Sequence, residues 1–266
     1  MKSKVSIITV VLNGESYIEH AINSVLEQSY ANIEYLIVDG GSTDSTTDII
    51  KKYQNKISKI ISEPDNGISD AFNKGIKLAG GNIIGLVNAD DWLEPNAVEK
   101  VADAFEKYNP DLVCGGVRFW ENDSESVVSY PDLARLDKET SVHHAGVFIK
   151  KSLYDSFGLY DNAYRYAMDY ELLLRMKMKG AKFYTLHEVV ANRRLEGRSY
   201  KNRREALKET MRARRIYFSR SDVLMNYLFI LIKDTAARIL KTSFLRPVYS
   251  YYWEQKNKKL LRNSEK

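Results

Sequence analysis

VSIITVVLNGESYIEHAINSVLEQSYANIEYLIVD, residues Val5–Asp39, is the stretch on which the fold turns. Val5–Val11 is almost uniformly apolar and largely β-branched, as expected of a strand buried on both faces. Glu15–Gln28 then sets Ile18, Ile22, Val25 and Leu26 at helical spacing, and Tyr35–Val38 is apolar again. Strand, amphipathic crossover and second doubly buried strand form the unit of a parallel sheet, with a right-handed crossover expected.

The unit repeats outward. Ser45–Tyr53, Ser69–Ala79 and Asn96–Tyr108 read as helices, and Ile57–Ile61, Ile83–Val87 and Leu112–Phe119 as strands. The fold class is therefore α/β, a mostly parallel sheet covered by helices on both sides. Past residue 120 the pattern changes. Glu121–Thr140 is polar and reads as a loop, Gly146–Ile149 as a strand, Tyr170–Lys179 as a helix closed by Gly180, and Phe183–Leu186 as a further strand. From Lys201 the chain reads as helical, interrupted near Pro247. The expected organisation is an α/β domain over 1–200 and a basic, amphipathic helical tail over 201–266.

Of 266 residues, 44% are hydrophobic and 28% charged, ordinary for a globular chain. A chain this long buries roughly 70–75% of its unfolded surface without covalent staples. Cys114 is the only cysteine. It excludes an intrachain disulfide and cysteine-built zinc sites, and a reducing, cytoplasmic compartment is the simpler setting. Lys2 and Lys4 before an apolar run imitate a signal peptide, but Asn13-Gly14-Glu15 follows with no small-residue cleavage pattern, so a buried first strand is expected. No run of about 20 apolar residues offers a spanning helix. The net charge of +5 is uneven: eleven Lys/Arg face three Glu between Arg193 and Arg220.

Ligands of an open parallel sheet bind beyond the carboxyl ends of its strands. Those ends here carry Asp39-Gly40-Gly41-Ser42-Thr43-Asp44 and Asn88-Ala89-Asp90-Asp91, with Glu63-Pro64-Asp65-Asn66-Gly67, Asp70, Asn73 and Lys74 between them. Polar groups from separate segments thus converge on one edge, as a nucleotide site requires. Hard cations such as Mg2+ or Mn2+ need only one or two carboxylates when phosphates complete their shell, and Asp90 and Asp91 suit that; the pair equally suits a capped turn before the next helix. Asp39-Gly40-Gly41 serves either a phosphate at a helix end or a simple tight turn. Absence of GxxxxGK[ST] argues against an NTPase, and absence of G-x-G-x-x-G after the first strand against a dinucleotide dehydrogenase.

VSIITVVLNGESYIEHAINSVLEQSYANIEYLIVDGGSTD (Val5–Asp44), EPDNGISDAFNKG (Glu63–Gly75) and VNADDW (Val87–Trp92), in this order, resemble family 2 inverting glycosyltransferases of the GT-A fold, in particular bacterial enzymes of surface-polysaccharide synthesis. The likeness covers about residues 3–200. It implies a GT-A, Rossmann-like domain that uses a UDP-sugar donor with Mn2+ or Mg2+. By that resemblance Thr9, Val11 and Asn13 line the nucleotide pocket, Asp39 meets the base, Asp65, Asp70 and Asn73 neighbour base and ribose, and Asn88-Ala89-Asp90 fills the Asp-x-Asp position. Asp90 then contacts the metal and Asn88 the ribose side. Asparagine in the first place removes one charge, which gives Asp91 more weight as a metal contact.

The same resemblance puts the catalytic base at Asp169, within Arg165-Tyr166-Ala167-Met168-Asp169-Tyr170-Glu171, where Met168 replaces a frequent Glu. At the start of a helix, Asp169 also fits a plain N-cap. His144 opens a segment similar to the family's acceptor region and is either a site residue or a structural histidine. The family's late histidine near the metal has no counterpart after His187. Arg194 or Arg198 stands in its region, either to neutralise the departing diphosphate or as surface charge. The acceptor implied is a hydroxyl of a glycan or lipid-linked sugar.

The tail combines Arg203, Arg204, Arg212, Arg214 and Arg215 with the apolar run Val223–Ile232. Such a segment suits an anionic membrane surface, which places the chain at the cytoplasmic face, or else it packs on the core or a second copy. No nucleic-acid module is present. A nucleotidyltransferase lacks its glycine- and arginine-rich loop here, and a catalytically weak nucleotide-binding or scaffold protein of the same fold is the remaining rival.

Overall fold

The computed structural model describes residues 3–121, 126–194 and 202–240. Its first half alternates as the sequence pattern predicts: β1 (Val5–Val11), α1 (Ile18–Leu26), β2 (Ile33–Asp39), α2 (Thr46–Lys52), β3 (Lys59–Ser62), α3 (Ile68–Leu78) and β4 (Ile83–Asn88). There follow β5 (Asp91–Leu93), α4 (Ala97–Tyr108), β6 (Leu112–Trp120), β7 (Ser126–Ser129), β8 (Val147–Lys150), α5 (Lys151–Phe157), α6 (Met168–Met178) and β9 (Phe183–Arg194). Two helices close the described chain, α7 (Arg203–Arg214) and α8 (Arg220–Leu240).

One sheet runs β3-β2-β1-β4-β8-β6-β9-β5, with β7 beside β6. Its first four strands are parallel. The β1 register pairs Val11 with Asp39 on one side and Val10 with Asn88 on the other, so those residues stand abreast at the carboxyl edge. β8 then inserts antiparallel between β4 and β6, and β5 pairs antiparallel with β9, bringing Asp91 opposite Arg193. β6 and β9 run parallel through an irregularity at Gly115–Val117.

Strand alternation explains why β1 carries no polar face. Ile8 and Val10 join the core beneath α3 and α6, while Val5, Ile7 and Val11 join the core beneath α1 and α4. Gly75 lets α3 settle on the sheet: a Cβ there would lie 2.4 Å from Ile8 Cγ2. At the amino edge, buried Glu34 accepts from Ser6 Oγ (2.5 Å), the Gly80 amide (2.6 Å) and Lys4 Nζ (3.2 Å), tying β1, β2 and the approach to β4 together.

Two expectations change. The span 121–140 is not all loop, because β7 forms there against β6. The last strand is not confined to 183–186 but runs to Arg194, held by both β6 and β5. Of the alternatives for the tail, its first helix packs on the core: α7 buries Thr210, Ala213 and Arg214, and Tyr217 and Phe218 pack against the core that contains α6. Residues 241–266, including Pro247, lie outside the described residues.

Candidate active site

The carboxyl edge is built by loops that fasten one another. Asp39, fully enclosed, accepts from Ser62 Oγ (2.6 Å) and from the amide (3.1 Å) and hydroxyl of Ser42. Asn13, held at φ 52°, accepts from the Thr43 amide (2.8 Å) while its own amide donates to Ser42 Oγ (2.8 Å). The turns after β1 and β2 thus form one unit. Asp65 lies so close to Gly40 that a Cβ there would stand 2.2 Å from its Oδ2, and its Oδ1 accepts from the Gly67 amide (2.8 Å). Asp70 accepts from the Asn66 amide (3.0 Å).

Two expected pocket residues are occupied elsewhere. Thr9 is fully buried and shares a 3.0 Å hydrogen bond with the Tyr35 hydroxyl. Asn73 spends both ends of its amide on Tyr160, donating to its carbonyl (2.9 Å) and accepting from its backbone N–H (3.0 Å).

A second group gathers around His144, which is 5% exposed. Its Nδ1 lies 3.0 Å from Asp169 Oδ2, and its Nε2 lies 3.0 Å from Asn88 Nδ2 and 3.5 Å from Asp91 Oδ2. Burial works against a charged ring, but the carboxylate of Asp169, with Asp91 beyond, outweighs it and raises the His144 pKa to about 9. Burial likewise opposes the charge on Asp169, and His144 overcomes it, so the carboxyl sits below its ordinary range. The pair is ionised at neutral pH. Among the described residues Asn88 Oδ1, both oxygens of Asp91 and Asp169 Oδ1 are buried without a close hydrogen-bond partner, a concentration of open acceptor positions that water or a ligand would complete.

Residues 6–153 match the family model described as glycosyl transferase family 2. The chain belongs to that family. An uncharacterised glycosyltransferase of Rickettsia prowazekii is 31% identical over 204 residues, covering 72% of this chain and 64% of that protein. The chondroitin synthase of Pasteurella multocida is 31% identical over 212 residues, covering 73% of this chain but 21% of the synthase. This chain therefore spans less than two thirds of each relative's length. Among solved structures, TarS of S. aureus in complex with UDP-GlcNAc superposes with a TM-score of 0.66 at 18% identity, covering 86% of this chain and 71% of that one. A Pyrobaculum calidifontis mannosyltransferase, solved with GDP-Man and Mn2+, gives 0.62 at 17% identity, covering 97% and 87%. These likenesses show the GT-A fold.

In this family 2 chain Asp90 stands at the mouth of the acidic group. Burial first, then the adjacent Asp91, raises its pKa, while Arg193 pulls it down. A carboxyl destabilised in that way favours a cation. Among the described residues no three His, Cys, Asp or Glu side chains converge as a ready-made metal cage. A hard cation completed by phosphate and water needs only one or two carboxylates. Asp90 suits that contact; Asp91, 2% exposed, is turned toward His144.

Arg193 was not singled out by the sequence pattern. It sits opposite Asp91 in the β5–β9 pair, and its charge acts on Asp90, His144 and Asp169 together. Arg194, the expected residue, points the other way, its guanidinium 5.2 Å from the ring centres of both Tyr17 and Trp92. Arg198 lies outside the described residues. A cavity of about 540 Å3 at the amino edge, lined by Ser3, Asn82, Asp103, Glu106 and Lys151 among others, contains none of the candidate site residues.

Proposed function

We propose that this chain transfers a sugar from a nucleoside-diphosphate donor, UDP-linked by preference, to a hydroxyl of a glycan or lipid-linked acceptor, with inversion at the anomeric carbon. The observation that carries this reading is the meeting of Asp91 and Asp169, remote in sequence, on opposite nitrogens of one buried histidine with Asp90 beside them.

Asp169 is the catalytic base. It takes the proton of the acceptor hydroxyl as that oxygen attacks the anomeric carbon from the face opposite the diphosphate, and the bond to the diphosphate breaks. Its place in the first turn of α6 favours the ionised form. His144, enclosed between two carboxylates, is a positioning residue that keeps Asp169 charged and oriented. Val11, Asn13, Asp39, Asp65, Asp70, Asn88 and Ala89 frame base and ribose from the carboxyl edge. A divalent cation held through Asp90, Mn2+ or Mg2+, would offset the charge of the leaving diphosphate. Arg193 supplies fixed positive charge on the same side.

The donor is found by screening sugar nucleotides with Mn2+ for thermal stabilisation, and turnover by release of UDP with and without acceptor sugars. In that assay Asp169→Asn should lower kcat by about a hundredfold or more while UDP binding by calorimetry stays within about twofold. Near wild-type turnover in Asp169→Asn would remove the base from this scheme.

We further propose that α8 lies on an anionic membrane surface beside a lipid-linked acceptor. Val223 and Ile230 face the protein, whereas Met225 and Ile232 are 68% and 69% exposed, with Leu228 and Phe229 between them on the same side. That spacing makes one continuous apolar face, and Arg215 and Arg220 are exposed nearby. No described helix is long and apolar enough to cross a membrane, so the contact is one of lying on a surface.

A further inference from the structure

Helix α6 begins badly by its own sequence. Its N-cap is Ala167, which makes no side-chain cap and is among the poorest residues for that place. The chain just ahead of it is instead fastened by a carboxylate from far along the sequence. Glu209, in the middle of α7, accepts from the backbone amides of Arg165 (3.0 Å), Tyr166 (2.8 Å) and Ala167 (2.9 Å). Two residues later comes Asp169.

The same element secures the segment one step earlier. Arg212 donates to the Ala163 carbonyl (2.6 Å) and stacks over the Tyr164 ring at 3.9 Å. Further back, Asn73 of α3 holds Tyr160, and Arg175 of α6 donates to the carbonyls of Phe157, Gly158 and Leu159. Residues 157–167 thus have little secondary structure of their own, yet side chains from three helices grip their backbone along its length. Glu209 grips the end nearest the reacting group.

We infer that Glu209 is a positioning residue for Asp169: its carboxylate anchors the backbone that leads into α6 and thereby sets the height and angle at which the base meets the acceptor hydroxyl. This rests on the assignment of Asp169 as the base. It means that the catalytic constellation is completed from α7, beyond residues 6–153 that match the family.

The test uses the full chain as wild type, Glu209→Gln, Glu209→Asp and Asp169→Asn, with Glu205→Gln as a control. Glu205 is on the same helix and pairs only locally, with Lys208. Hydrogen exchange of the 163–169 amides should quicken about tenfold or more in Glu209→Gln and not in Glu205→Gln. In the UDP-release assay, kcat per UDP-binding site should fall about ten- to a hundredfold in Glu209→Gln, the range a small misplacement of a reacting group produces. The donor KM and the affinity for UDP with Mn2+ should stay within twofold, and Glu209→Asp, which keeps the charge, should recover part of the loss. Wild-type kcat in Glu209→Gln while Asp169→Asn is inactive overturns the inference and spares the base. Unchanged exchange in Glu209→Gln overturns it as well. Turnover retained in Asp169→Asn overturns both.

Discussion

Glu34 is buried and Asp169 half-buried, and their surroundings treat the two carboxylates differently. Burial alone would raise the pKa of Glu34, but hydrogen bonds from Ser6, Gly80 and Lys4 prevail and hold it at about 2. Since the unfolded group titrates near 4.5, its contribution is fully present above that pH and is lost as pH falls through 2. A shift of this size corresponds to about 3 kcal/mol before solvent screening at the partly exposed Lys4 reduces it. The melting temperature of wild type should therefore drop more steeply between pH 5 and 2.5 than that of Glu34→Gln, and Glu34→Gln should be the less stable of the two at pH 7. Parallel slopes would show that Glu34 is not the group responsible. Asp169 has a different set: among the described residues the His144 imidazole is its closest partner, the Tyr160 hydroxyl and Arg193 also act on it, and its Oδ1 is left without a bond. Glu34 is satisfied; Asp169 is incompletely matched, which suits the proposed role of a base that meets an acceptor.

At the level of elements, β9 shows what a sequence can and cannot disclose. Neighbouring residues of a strand face opposite sides, so one of Arg193 and Arg194 faces Asp91 across the β5–β9 pair. Which one depends on the register against β5 and on the irregularity at Gly115–Val117, and neither is written in a local pattern. Arg193→Ala should weaken binding of UDP with Mn2+ about ten- to a hundredfold, the weight of one charge-assisted contact, while Arg194→Ala should stay within about threefold; equal effects in calorimetry would reverse the assignment of faces. By contrast β1 to β4 and α1 to α4 were legible, because their apolar runs and helical spacings are long and unbroken. The short β5 carries no local signal of its own, since Asp91-Trp92-Leu93 forms a strand by pairing with β9. The reversed direction of β8 was invisible, as apolar content carries no sign of orientation. Asp90, Asp91, His144 and Asp169 could be named from motifs, but that His144 joins two of the acids requires the fold.

For the molecule as a whole, the sheet separates two environments. Its carboxyl edge collects the acids and their loops, and the helices that follow β9 divide in purpose. α7 is part of the catalytic body, with Arg212 and Arg214 turned to the protein, Arg214 donating to the Asp137 carbonyl (2.8 Å). α8 keeps an apolar face outward, larger than scattered surface residues would leave. Met225→Glu with Phe229→Glu should abolish flotation with vesicles of phosphatidylglycerol and phosphatidylethanolamine, leaving UDP binding intact. Flotation equal to wild type would refute the membrane contact, and a change of sedimentation from dimer to monomer would assign the face to a second copy.

Because the backbone of residues 157–167 is clasped by partners before and after it in the chain, this chain cannot be shortened to its motif-bearing half without consequence. A fragment ending at residue 200 would keep the clasps of Asn73 and Arg175 and lose those of Glu209 and Arg212, leaving the stretch that leads into Asp169 tethered at one end only. Trimming of that kind would cost aim before it cost the fold.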